Sequence, residues 1–244
     1  MLILEDTRQQ ENKHKNKHEY FRSLGIYWNR TALYCGDYTL PSNQSVCVDT
    51  KKDIAELIGD IQFKKMPKRE IHKKVYDICE MQGVSFDLAE RLYHAICDDD
   101  ENRFAEKEIA TICFENHIAE RTTSDFQTLY VKRHGFFHRG LKRAQNSEIQ
   151  LYILVENKDG VQSLEDLTIW HNPRLDMWKK SKEIIGSWKN GKPKYKLVQC
   201  FPDAATGEWL AKSCSTMQNK YGVKFLFCRP EESGKRILEL LGVM

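Results

Sequence analysis

Apolar residues recur along this chain with two different periods, and each change of period marks an element. Leu2-Ile3-Leu4-Glu5 is a short apolar strand, followed by a polar, lysine-rich stretch from Arg8 to His18 that runs into a helix carrying Tyr20, Phe21 and Leu24. Ile26 to Leu33 predicts a second strand, broken by Gly36-Asp37-Tyr38, and Ser45 to Lys51 predicts a third. From Asp53 to Gln62 the apolar positions Ile54, Leu57, Ile58 and Ile61 take helical spacing, so a strand hands over to a helix just after Lys51. Between Met66 and Ser124 the period stays helical, at Ile71, Val75 and Ile78, at Phe86, Leu88, Leu92 and Ile96, and at Ile109, Ile112 and Phe114. Phe126 to Gln145 reads as one further helix, with Gly135 and Gly140 inside it.

The last hundred residues return to strands. Leu151 to Glu156 is a nearly continuous apolar run, suited to a strand covered on both faces. A Trp- and Lys-rich stretch from Trp170 to Lys194 follows, then a strand at Lys196 to Phe201, a helix at Thr206 to Tyr221, a strand at Lys224 to Cys228 and a closing helix through Ile237 to Leu241. Strands alternating with helices predict an α/β fold, a central sheet flanked by helices. The organisation expected is an α/β domain formed by residues 1–65 and 125–244, with a helical insertion at 66–124.

Composition narrows the function classes. With 244 residues, 41% apolar and 30% charged, the chain has enough material for a sizeable core and a wet surface. Its 38 basic and 35 acidic residues leave +3, which excludes a wholesale polycation but not a local basic track. No apolar run approaches the ~20 residues of a membrane span, and charge at Glu5 leaves no room for a signal peptide. The eight cysteines contain no C-x-x-C pair and read as reduced, mostly buried thiols of a cytoplasmic protein.

Three acidic residues, Asp6, Asp37 and Asp49, fall at strand ends in the first half. In a strand, residues i and i+2 share a face, so Asp49 and Lys51 put a carboxylate beside an ammonium. Asp37, after a glycine that permits a tight turn, projects a second carboxylate toward the first. Two carboxylates suit Mg²⁺, with Mn²⁺ as a substitute, because Mg²⁺ keeps several waters and takes oxygen from a few acids and a substrate phosphate. The lysine orients the attacking water or stabilises charge on the phosphorane. A lone D-x-K triplet is usually a surface ion pair; the order Asp37, a hairpin-like gap, then Asp49-x-Lys51 opening a helix raises it above that.

That order resembles the PD-(D/E)xK nuclease superfamily, and in detail its XPF-type structure-specific endonuclease domain. The family runs V-D-x-R-E, then G-D-Y or G-D-F, then E-R-K entering a helix that ends D-L-x-x-S-I. Here stand Glu5-Asp6-Thr7-Arg8-Gln9, Gly36-Asp37-Tyr38, Val48-Asp49-Thr50-Lys51 and Glu56-Leu57-Ile58-Gly59-Asp60-Ile61. Later, His138-Arg139-Gly140-Leu141-Lys142-Arg143 leads into Ile153-Leu154-Val155-Glu156, where the family has a basic helix before L-I-V-E. The resemblance implies a restriction-endonuclease-like sheet and a Mg²⁺-dependent DNA endonuclease. It makes Asp37 and Asp49 metal ligands and Asp6 a further ligand or outer acid, with Lys51, Arg8 and Glu156 in the same site. Thr50 and Gln9 depart from the family pattern and favour the alternative, a nucleic-acid-binding or regulatory module that keeps the fold without cleavage. No tandem helix-hairpin-helix tail is recognisable, so the choice of DNA structure does not carry over, and pairing with a second copy or another protein stays open.

Basic stretches supply candidate phosphate contacts. Lys64, Lys65, Lys68, Arg69, Lys73 and Lys74 front the insertion, and Arg139, Lys142 and Arg143 lie near the later helix. A third, Arg174 to Lys196, carries eight basic residues with Trp178 and Trp188 among them. Any one stretch alone reads more readily as a solvated face; three around a nuclease-like centre favour DNA as partner. His14/His18 and His134/His138 have i, i+4 spacing but no cysteine at zinc-finger distance, so surface or DNA-facing histidines are expected. Asp98-Asp99-Asp100-Glu101 lacks the glycine of a calcium loop and reads as a solvated turn.

Overall fold

The computed structural model describes residues 1–7, 14–97, 105–188 and 190–243. Arg8, Gln9 and Asp98-Asp99-Asp100-Glu101 lie outside the described residues. Six strands build the central mixed sheet: β1 (Leu2–Asp6), β2 (Tyr27–Thr31), β3 (Tyr38–Leu40), β4 (Asn43–Lys51), β5 (Gln150–Glu156) and β8 (Lys224–Cys228), in the order β2-β1-β3-β4-β5-β8. The hairpin β3–β4 is antiparallel, and β4, β5 and β8 run parallel. β5 is therefore enclosed by strands on both sides, and its continuous apolar sequence is buried on both faces: Ile153 and Val155 enter one core cluster and Leu154 the other.

Alternation along β4 sorts the site residues. Cys47 packs with Ile54, Leu57, Phe137 and Leu141 on the face covered by α2 (Ile54–Ile61), α7 (Phe136–Asn146) and α9 (Gly207–Tyr221), with the short α8 (Leu164–Ile169) adding Leu167 to the same cluster. Val48 points the other way, to Ile3, Phe21 and Ile237 beneath α1 (Lys15–Ser23) and α10 (Ser233–Leu240). Asp49 and Lys51, two and four residues after Cys47, share its face.

The helices α3 (Lys68–Met81), α4 (Phe86–Cys97), α5 (Ala105–Glu115) and α6 (Glu120–His134) close around a core of their own, built on Ile71, Leu92, Ile96, Ile109 and Phe126. The chain enters and leaves this bundle at one point, where the Met66 amide donates to the Lys132 carbonyl at 2.9 Å.

Three expectations about elements change. Phe126 to Gln145 is two helices, not one, because Gly135 takes φ +72° and a Cβ there would lie 2.8 Å from the Phe63 ring. β3 is a strand of three residues, too short for its alternation to show in sequence. The strand expected at Lys196–Phe201 lies outside the central sheet: β7 (Pro193–Gln199) pairs with β6 (Trp178–Ser187) in a separate antiparallel ribbon. Almost every side chain of that ribbon is exposed, so it had no buried face to announce it. All eight cysteines are free thiols, and all but Cys200 are buried. Among the described residues no helix is long and apolar enough to cross a membrane.

Candidate active site

Asp37 and Asp49 meet because the β3–β4 hairpin folds one against the other. Gly36 takes φ +69°, and a Cβ there would sit 3.0 Å from Cys47 Cβ and 3.1 Å from the Val48 carbonyl oxygen. The chain approaches β4 that closely only through a glycine. Asp37 then donates its amide to the Val48 carbonyl at 2.8 Å, while its Oδ2 accepts from the Thr50 amide at 2.8 Å and the Thr50 hydroxyl at 2.6 Å. One oxygen of Asp37 is thus anchored to the strand that carries Asp49 and Lys51.

Lys51 stands between two acids, with its Nζ 3.2 Å from Asp49 Oδ2 and 2.8 Å from Asp60 Oδ2, and 4.8 Å from the centre of the Phe137 ring. Asp60 was not singled out in the sequence as a site residue. It arrives because α2 starts at a fixed point: Asp53 caps the helix by accepting from the Glu56 amide at 2.7 Å, and Glu56 accepts from the Lys52 amide at 2.7 Å. The last turn of α2 then stands over Lys51.

Electrostatics follow from this crowding. Burial pushes the Asp49 carboxyl up; Lys51 opposes the shift, Asp37 and Asp60 add to it, and the result is about 7. Burial pulls the Lys51 ammonium down, but Asp49, Asp60 and Asp37 outweigh it and leave its pKa above the ordinary lysine value. The Asp49 side chain keeps 19% of its surface exposed, so a ligand in the cleft reaches it. The cleft is about 400 Å³, lined by Asp6, Asp37, Asp49, Lys51, Asp60, Phe136, Phe137 and Arg143, among others.

Not every expected residue joins this group. Asp6 lines the cleft, but its Oδ1 accepts from the Leu33 amide at 3.3 Å and its own amide donates to the Asp37 carbonyl at 2.9 Å, so it braces the turn. Glu156 shares the parity of Leu154 and lies on the opposite face, ion-paired with Lys17 of α1 in a buried setting. Arg143 reaches the cleft and donates to the Tyr34 carbonyl at 3.2 Å, and Lys142 is half-buried. Arg139 is only 8% exposed, with its guanidinium 4.9 Å from the Tyr130 ring and 5.6 Å from the Phe136 ring, which argues against a simple surface phosphate contact. Lys64, Lys65, Lys68, Arg69 and Lys73 are exposed, and half-buried Lys74 pairs with Glu70 at 3.8 Å.

The histidines expected at the surface or facing DNA are instead buried at His14, His18 and His134. Nε2 of buried His134 lies 2.8 Å from the Ile96 carbonyl, and Gly135 separates His134 from His138 on another helix. His14 bonds the Tyr38 hydroxyl through Nδ1 at 2.6 Å, and His18 pairs with Glu5, all of them buried. Among the described residues, no group of three or more His, Cys, Asp or Glu side chains is arranged to hold a metal ion.

No family model matches this chain, and no curated protein sequence matches it. Among solved structures it is similar to XPF from Aeropyrum pernix, with 12% identity and a TM-score of 0.39 over 99% of this chain. The chain spans 63% of the length of that structure. A likeness this distant carries no argument about the site.

Proposed function

We propose that this chain is a metal-dependent endonuclease that hydrolyses phosphodiester bonds in DNA at the cleft of Asp37, Asp49 and Lys51. The observation that carries the reading is the convergence of Asp37, Asp49 and Lys51 on one cleft, with Lys51 Nζ 3.2 Å from Asp49 Oδ2 and the Asp49 side chain partly open to it. Like charges brought together beside a cleft fit a site that a cation completes.

The donor set fits Mg²⁺ or Mn²⁺. Two carboxylates are enough for a cation that keeps several waters and draws the rest of its oxygens from substrate phosphate. Asp49 and Asp37 are the donors of choice, with Asp6 behind them. When bound, the cation supplies Lewis-acid polarisation of the phosphate and neutralises charge as it develops. The chain's own residues do the rest. Thr50 fixes the orientation of Asp37 through two hydrogen bonds. Lys51 holds a positive charge at the same edge, where it orients the attacking water and stabilises negative charge on the phosphorane. Arg143, on the cleft wall, is placed to meet the flanking phosphate.

Lys51→Ala tests the reading. Cleavage should fall by ~100-fold or more, the usual cost of removing one charge-stabilising group, while DNA binding in chelator stays within about twofold. Unchanged cleavage removes Lys51 from the mechanism. One observation favours the alternative of a non-cleaving DNA-binding module: the 2.8 Å contact with Asp60 engages the Lys51 ammonium away from any substrate.

A further inference from the structure

The ribbon of β6 and β7 is an arm with a pinned base. Asn172, buried just after α8, donates its side-chain amide to the Ala205 carbonyl at 2.8 Å, so the outgoing and returning segments are tied together. Gly207, at the start of α9, closes the joint, since a Cβ there would lie 2.2 Å from the Leu167 carbonyl oxygen and 2.4 Å from that of Trp170. Beyond this joint the pairing register sorts two faces. Tyr195 pairs with Ile184, Leu197 with Lys180 and Gln199 with Trp178, so these six share one face. Lys194, Lys196 and Val198 alternate with them and stand on the other, with Lys179 opposite Val198. Trp178, Ile184 and Leu197 are each about 60% exposed, a cost in water that a partner would remove.

Charge selects the partner. Seven lysines and one acid, Glu183, fall between residues 179 and 196, which suits a polyanion and sets like charge against a second copy of the arm. Dimensions select the form of that polyanion. Two strands side by side make a strip about 10 Å wide. A major groove of about 12 Å admits it, and a minor groove of about 6 Å does not. β7, seven residues long, spans about 24 Å, or ~7 base pairs. We propose that the β6–β7 ribbon lies in the major groove of the duplex DNA that this protein holds. The apolar face meets the groove floor, where thymine methyl groups offer the contact. The lysines, on long flexible stems, bend over the strand edges to the phosphates of the two walls. The inference deepens the nuclease reading and rests on it.

The test is fluorescence anisotropy of full-length protein in chelator, where nothing is cut. The probes are a labelled A·T-rich duplex two helical turns long, the same duplex with uracil in place of thymine, and one of its single strands. Lys179→Gln, Lys194→Gln and Lys196→Gln together should weaken duplex binding by about tenfold or more and make the salt slope shallower by about 2–3, ~0.9 for each phosphate released. Single-strand binding should move far less, because a lone strand offers no groove. Uracil strips the methyl groups from the floor and should cost the parent about fourfold for each methyl contact, the worth of one buried CH₂-sized group. The double variant Tyr195→Ser, Leu197→Ser should bind the thymine and uracil duplexes alike. All five positions are exposed, so melts of the variants should match the parent. Equal losses on duplex and single strand, no loss on either, or a parent indifferent to uracil overturns the proposal. Lost binding to phosphatidylglycerol vesicles with duplex binding unchanged overturns it in favour of a lipid surface. A parent that shows the expected pattern yet cuts no DNA with Mg²⁺ sinks the cleavage reading and leaves the groove contact standing.

Discussion

Asp49→Asn should make the metal-free protein more stable. Burial and the acids beside it raise the Asp49 carboxyl from 3.8 to about 7. At 1.36 kcal/mol per unit the full shift corresponds to ~4 kcal/mol. The side chain keeps 19% of its surface exposed, and solvent relaxation reduces the net effect to about 1–2 kcal/mol. The sign follows from linkage. The native state holds the Asp49 proton more tightly than the unfolded chain does, so this group favours folding below pH ~4, and that contribution is lost as pH rises to 7. Asparagine is neutral throughout, so its advantage is absent at pH 4, grows through this window and levels off above pH 7. The ammonium of Lys51 keeps Asp60 as a partner after the change. In thermal melts with chelator, Asp49→Asn should match the parent near pH 4 and exceed it by about 2–8 °C at pH 8. Mg²⁺ should then raise the parent and leave the variant unmoved, narrowing the gap. A variant less stable than the parent at pH 8, or a gap independent of pH, refutes the account of Asp49 as a carboxyl raised by burial and by the acids beside it.

Other outcomes follow from the same geometry. Asp60→Asn releases Lys51 to pair fully with Asp49, so cleavage should need several-fold more Mg²⁺ for half its maximal rate, read from a metal titration. Gly36→Ala forces a Cβ into a positive-φ turn against Cys47 and should cost about 1–3 kcal/mol in urea unfolding. Reversing the exposed charges Lys64, Lys68, Arg69 and Lys73 should weaken DNA binding and lower the salt slope by ~0.9 for each phosphate the protein no longer neutralises, measured by fluorescence anisotropy.

The grouping of Asp37, Asp49 and Lys51 was legible because it depends on local rules. One is the period of two along a strand, and the other is a glycine that lets the preceding turn approach it. Asp60 was not legible as a partner of Lys51, since its position depends on how α2 packs over β4, which no spacing along the chain encodes. Glu156 stood in a suggestive place beside Val155, yet its parity with Leu154 turned it under α1. The ribbon of β6 and β7 was hidden for a different reason. β7 alternates lysines with apolar residues from Lys194 to Leu197, but nearly every side chain of both strands meets solvent, so no buried face separated the ribbon from a solvated loop. The helix break at Gly135 depended on Phe63, seventy-two residues earlier in the chain, and only the fold brings that ring to the glycine.

The central claim is that carboxylates and a lysine around the end of β4 cut DNA with the help of a divalent cation. Its most direct measurement is the incubation of purified parent and Asp49→Asn with branched, single-stranded and blunt duplex DNA, in Mg²⁺ and in chelator, resolved on denaturing gels. Cleavage by the parent in Mg²⁺ only, abolished in Asp49→Asn while binding is retained, is the predicted result. Equal product in chelator, or equal product from the variant, contradicts the claim.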